Sequence, residues 1–181
     1  MLKSALHLSA ITALALALTG CFISRGDLIT PREADFPLAS GTRITIYALN
    51  DKGTRREGKP EHAILTRDGE FYRLTPEGDE PLTGLIDAIG ENLFAAMLHD
   101  TEHPGASLYG LFVREGNVWR RYGIVCSDFA KLAEAHGKPL GTFGIANANG
   151  DCLFTSYGDL QRALLFARNH MSPDAEYVIG E

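Results

Sequence analysis

The chain predicts an α+β domain from about residue 41 to residue 181, an antiparallel β-sheet of six or more strands with two C-terminal helices. Three observations lead there. Two pairs of alternating apolar segments are joined by Asp68-Gly69 and by Glu115-Gly116, each a two-residue hairpin signal. Helical periodicity follows Cys126 and again Cys152. A length of 181 residues, 45% hydrophobic and 22% charged, fits one globular domain and excludes a multidomain enzyme.

Taken in order, the first strand is Arg43 to Leu49, where Ile44, Ile46 and Ala48 alternate with Arg43, Thr45 and Tyr47 before the turn Asn50-Asp51-Lys52-Gly53. A hairpin follows, His62 to Thr66 against Glu70 to Thr75. A type I′ turn at Asp68-Gly69 sets Leu65 opposite Tyr72, Ala63 opposite Leu74 and Arg67 opposite Glu70. Leu82 to Ile89 and Asn92 to Leu98 are apolar enough to be buried, and at this length helix and strand are hard to separate; the second reads better as strand. The second hairpin, Leu108 to Arg114 against Asn117 to Tyr122, turns at Glu115-Gly116 and opposes Phe112 to Trp119, which places Trp119 in a core. Ser127 is positioned to cap a helix over Asp128 to His136 that Gly137 ends. Ser156 with Asp159 opens a second helix carrying Tyr157, Leu160, Leu164 and Ala167 on one side, and Glu176 to Ile179 returns as a final edge strand.

The N-terminus carries an address. Lys3 precedes an apolar stretch from Leu8 to Leu18, too short for the roughly 20 apolar residues a spanning helix needs. It reads as a removable export signal over residues 1–20. Its end, Leu18-Thr19-Gly20-Cys21, resembles a bacterial lipobox: Leu three before the cysteine, small residues at the cut, then a thiol to take the lipid. That resemblance implies a diacylglyceryl group on Cys21, further acylation (palmitate or similar) of its freed amino group, and a practically permanent membrane anchor. Phe22 is not the aspartate that marks inner-membrane retention in enteric bacteria, so the expected address is the periplasmic face of the outer membrane. Residues 21–40 hold Gly26, Pro31, Pro37 and scattered charges without clear periodicity, and are expected to form a flexible tether reaching as far as about 65 Å. Arg25-Gly26-Asp27 within it is a chance-level match to an adhesion tripeptide.

With Cys21 acylated, Cys126 and Cys152 are left as one pair in an oxidising compartment, suited to a disulfide; a buried free-thiol pair and a metal or catalytic role are the competing readings. From Tyr109 onward the chain also resembles a group of small proteobacterial envelope lipoproteins, through Tyr109-Gly110-Leu111, Trp119, Cys126 with Asp128, and Cys152-Leu153-Phe154-Thr155-Ser156 with Leu160 and Leu164. The resemblance implies an envelope lipoprotein and brings no catalytic residue with it.

Catalytic motifs are incomplete. His99 and His103 are weak candidates for a metal site, because Pro104 disfavours a helix there and His99-Asp100-Thr101-Glu102-His103 misplaces the glutamate of a His-Glu-x-x-His site. Ser127, Asp128 and His136 assemble a triad only on paper, without a Gly-x-Ser-x-Gly elbow. Gly141, Gly144 and Gly150 fit neither a P-loop nor a dinucleotide fingerprint, so no cofactor is expected. Seventeen basic against twenty-three acidic residues, a charge of -6, offer no basic face for nucleic acid. Without Lys3, sixteen basic residues against twenty-three acidic ones make the mature chain -7, which disfavours anionic surfaces and favours a neutral or basic protein partner. The expected function is therefore a non-catalytic binding or structural module. The alternative is a small periplasmic hydrolase or metal-dependent enzyme.

Overall fold

The computed structural model describes residues 21–101, 103–148 and 150–180. The export signal lies outside the described residues. The strands in chain order are β1 (Phe22–Arg25), β2 (Thr42–Ala48), β3 (Glu61–Asp68), β4 (Phe71–Pro76), β5 (Leu82–Gly90), β6 (Leu93–His99), β7 (Ala106–Glu115), β8 (Val118–Tyr122), β9 (Ala146–Ala148), β10 (Asp151–Phe154) and β11 (Ala175–Ile179). Helix α1 (Cys126–Ala135) follows β8, and α2 (Tyr157–His170) separates β10 from β11.

The predicted sheet is present, and it closes on itself. Eight strands pair antiparallel in the order β2-β3-β4-β5-β6-β7-β8-β11, and β11 returns to β2 to complete a barrel. The expected edge strand at Glu176 to Ile179 is thus the closing strand, bonded on both sides. Closure satisfies the backbone groups that an open sheet leaves at its two edges. A smaller flap extends from the barrel: β7 gives Ala106 to Tyr109 to β1, β1 pairs in parallel with β10, and β10 pairs with β9.

Both hairpins form, each with its register two residues from the predicted one. Leu65 faces Leu74 and Arg67 faces Tyr72, while Val113 faces Arg120 and Arg114 faces Trp119. The turn residues are consequently Gly69-Glu70 and Gly116-Asn117. Gly69 and Gly116 have φ of 60° and 67°, whereas Glu70 and Asn117 are not among the positive-φ residues. Glycine first is the type II′ preference, whereas the expected type I′ turn needs positive φ at both centres. A slip of two keeps every side chain on its predicted face.

Two cores result. Inside the barrel, Ile44, Leu65 and Tyr72 are buried together, and the ring of Phe94 stacks on Trp119 at 4.6 Å. Outside it, Leu85, Ala95, Met97 and Leu111 on β5, β6 and β7 pack against Phe129 and Ala133 of α1 and Leu160 and Leu164 of α2. Strand β6 is apolar on both faces because one meets the lumen and the other the helices, which is why its sequence does not alternate. The remaining outer wall carries Arg43, His62, Arg73 and Arg120, unlike the apolar belt of a membrane-spanning barrel. No helix among the described residues is long and apolar enough to cross a membrane.

The segment read as a tether is part of the fold. Phe22 and Ile29 are fully buried, with Phe22 in ring contact with Phe129 and Phe154. Farther on, Phe36 packs on Tyr72 and stacks under Arg67, and the Tyr72 hydroxyl both accepts from the Leu38 N–H and donates to its carbonyl. This passage seals the end of the barrel near the β3–β4 turn. Residues between Phe22 and Leu38 therefore pack with the barrel and its helices: four apolar side chains spaced among glycines and prolines supply the burial that ordering a chain requires.

Helix α1 begins at Cys126, with Val125 as N-cap, so the expected cap Ser127 lies inside the helix. Ser156 does precede α2, yet its hydroxyl makes no capping bond, and Asp159 pairs with Arg162.

Candidate functional site

Cys21 sits where β7 changes partners. Strand β7 is bonded to β8 from Leu111 to Glu115 and to β1 from Tyr109 to Ala106, leaving Gly110 at the fork between them. Cys21 lies one residue before the Phe22–Tyr109 pair and is bridged to Val125. Its N–H donates to Asp151 Oδ1 at 3.1 Å, and its carbonyl accepts from the Cys152 N–H at 3.0 Å. The Cys21 thiol is half-buried and its pKa is raised, first by burial, then by the carboxylates of Asp151 and Asp100, with Arg121 opposing. Beside it, Cys126 and Cys152 stand at disulfide distance, 2.10 Å between sulfurs and 5.3 Å between Cα atoms, and both are buried. That bond ties the start of α1 to β10, and through β10 to Cys21.

On the inward face of the barrel, the fork opens onto a mouth formed by the end of β6 and the starts of β5 and β7. The register puts Gly84, Leu98 and Leu108 in one row, and Ile86, Ala96 and Gly110 in the next. Leu82, Leu98 and Leu108 are half-buried and belong to neither core cluster of the described residues. A side chain at Gly110 would have room, its nearest neighbour being the Tyr122 carbonyl at 3.6 Å. Arg121 projects on the same face. It is held by Asp174 through Nη2 at 2.5 Å and Nε at 3.2 Å, and its Nη1 donates to the Tyr177 hydroxyl at 3.4 Å. Its pKa is raised, chiefly by Tyr177 and then by Asp174. The guanidinium is therefore charged and already matched.

The histidines of the weak metal reading engage separate carboxylates. His99 Nε2 is 3.2 Å from Asp27 Oδ2, and His103 Nδ1 is 2.9 Å from Asp100 Oδ2. Among the described residues no group of three or more His, Cys, Asp and Glu side chains is arranged to hold a metal. Asp27 also accepts from Ser107 Oγ at 2.6 Å, so a serine, an aspartate and a histidine do meet, but in the order serine–aspartate–histidine. Ser107 is only 1% exposed, and the histidine is not placed to take its proton, so the set lacks the nucleophile–base contact of a triad. Arg25-Gly26-Asp27 is bound into this network: the Gly26 N–H donates to the Gly105 carbonyl at 2.9 Å.

The paper triad does not assemble. Asp128 pairs with Lys131, His136 Nδ1 donates to the Leu132 carbonyl at 2.9 Å, and its ring lies 4.1 Å from that of His170. Gly141 and Gly144 belong to a short 3-10 turn, and the side chains of Asn147 and Asn149 lie outside the described residues. An open cleft of about 360 Å³ runs between the Leu49–Arg56 loop and the ends of both helices, lined by Asp51, Arg56, Asp128, His170 and Asp174.

Sequence reading missed the fork, because it depends on which strand β7 chooses along each half of its length. A signal was present in Gly110, a small residue inside an otherwise large apolar and aromatic strand. The fold defines a closed eight-stranded antiparallel barrel with a helical layer on one side. Comparison with protein-family models, with curated proteins and with solved structures returned no match.

Proposed function

We propose that this is a lipid-anchored envelope lipoprotein, acylated at Cys21 and carrying a non-catalytic binding barrel at the periplasmic face of the outer membrane. The observation that carries the reading is the placement of Cys21, the residue that Leu18-Thr19-Gly20-Cys21 marks: it bridges Val125, its N–H donates to Asp151 Oδ1, and it leads into β1.

The chemistry of the new N-terminus also agrees. Cutting before Cys21 exposes an amine beside Asp151, and acylating that amine restores an amide whose N–H can keep the bond to Asp151 Oδ1. Once acylated, the first residue of the protein is held by the sheet on one side and by lipid on the other. An eight-stranded barrel is wide enough for its interior to be filled by side chains or to hold one small ligand, and here the closed end is filled while the mouth is lined by half-buried leucines outside the core clusters. That favours binding over catalysis.

Intact-mass analysis of the protein extracted from membranes tests the anchor. The expected species begins at Cys21 and carries acyl chains, and Cys21→Ala is expected to abolish both the mass increment and detergent-phase partitioning. A mature chain that starts elsewhere and stays in the aqueous phase overturns the reading. Turnover of an ester or peptide by the purified protein would overturn the non-catalytic part alone.

A further inference from the structure

We propose that the open end of the barrel lumen is an acyl-chain site, and that its occupant is one chain of the lipid borne by Cys21 itself. The inference rests on the anchor reading above. Side chains alternate along a strand, so Cys21, next to outward-facing Phe22 and opposite Gly110, directs its thiol to the inward face. The charges that act on that thiol agree, since Arg121 occupies an inward-facing position of β8 by register and Asp100 directly follows the last residue of β6. The attachment atom thus lies at the rim of the lumen, on the lumen side.

The lumen wall beside it is aliphatic and has room at Gly110. Leu82, Leu98 and Leu108 are half-buried, Ala96 and Gly110 face each other across β6 and β7, and a Cβ at Gly110 would meet nothing nearer than the Tyr122 carbonyl at 3.6 Å, whereas Leu98 already packs over Gly84 in the neighbouring row. From Leu108 to Phe112 the wall runs about 13 Å at roughly 3.3 Å per residue, deep enough to take part of an extended chain. Arg121 offers no unmatched charge to a carboxylate head, because Asp174 already neutralises it. The site therefore suits the hydrocarbon of an esterified chain entering from the rim, not a free fatty acid seated by its head group. Linkage through Cys21 makes that entry intramolecular, at high effective concentration. Stabilisation follows from removing aliphatic surface from water on both partners.

The test uses palmitate carrying a diazirine, fed to cells that make the full chain so that the probe is built into the Cys21 lipid, followed by irradiation of intact envelopes and mass mapping. The expected result is crosslinks within one chain, joining the Cys21 lipopeptide to peptides containing Leu98 or Leu108. Gly110→Leu, which fills the space without a backbone clash, is expected to lower their yield at least tenfold with the acylated fraction of Cys21 unchanged. Leu108→Glu is the second variant and is expected to act in the same direction. Crosslinks from acylated Cys21 that reach only phospholipid or other proteins overturn the lumen site and leave the anchor standing. Probe found on Leu98 and Leu108 as readily in Cys21→Ala as in the wild type overturns the assignment to the protein's own lipid. An unacylated Cys21 overturns the anchor and this inference together.

Discussion

Replacing Phe22 by Ala separates a first strand from a tether more sharply than any other single change. Phe22 is 0% exposed, its ring lies 4.9 Å from that of Phe129 and 4.8 Å from that of Phe154, and it sits among α1, β10 and the outer face of β7. Truncating a buried phenylalanine costs about 3–5 kcal/mol, and two aromatic contacts place this one toward the upper end. Taking about 4 kcal/mol and a urea m-value of about 2 kcal/mol/M, the unfolding midpoint should fall by about 2 M. Against a typical domain stability of about 5–15 kcal/mol, that is a large fraction of the total. The chain's single tryptophan, Trp119, is buried in the barrel and stacked on Phe94, so its fluorescence reports unfolding of an element remote from the substitution. Ile64→Ala, at a side 48% exposed on the outer wall, is the control and is expected to shift the midpoint by less than about 0.5 M. A Phe22→Ala midpoint no lower than that of the control would refute the packing of β1 and restore the tether.

Two further outcomes follow from the same contacts. Removing the Cys126–Cys152 bond, 26 residues apart, by a double Ser substitution should cost about 3.5 kcal/mol of unfolding free energy by the loop-entropy relation; two free thiols in the denatured, unreduced protein would show instead that the bond is not made. Asp87 accepts a short hydrogen bond from the Tyr157 hydroxyl, yet burial raises its pKa despite that bond, so the unfolded chain releases this proton first as pH rises and stability is lost on passing upward from the ordinary carboxyl range through the raised value. Urea titrations from pH 3 to 7 should therefore show Asp87→Asn gaining on the wild type as pH rises, and a pH-independent difference would remove burial as the dominant influence on that carboxyl.

The strands were legible where one face is wet. Ile44 and Ile46 alternate with Arg43, Thr45 and Tyr47 because β2 has a lumen side and a solvent side, and the chain reads the same way. Strand β6 resisted reading because both its faces are dry, and β11 read as an edge because no local feature of Ala175 to Ile179 records that β8 and β2 lie on either side of it. Both hairpin registers slipped for one reason: the motif was taken with glycine second, while Gly69 and Gly116 each stand first in the turn. Composition hid β1, since Gly26, Pro31 and Pro37 outweigh the isolated Phe22, Ile29, Phe36 and Leu38 in any local count.

The four residues Leu18 to Cys21 single out Cys21 but say nothing of its surroundings, because Gly110, Val125 and Asp151 reach it from three distant parts of the chain. Those surroundings change what an anchor at Cys21 would do. A twenty-residue tether would let the barrel range through the periplasmic space and meet partners well away from its membrane. Cys21 instead continues into β1 without slack, with its amide bonded to Asp151 and its carbonyl to Cys152. A lipid on that residue would pull directly on the sheet, hold the β6–β7 end of the barrel at the bilayer surface, and turn the sealed end near the β3–β4 turn toward the periplasm. Any protein partner favoured by the acidic charge would then have to dock on the outer wall or the sealed end, because the mouth would face lipid.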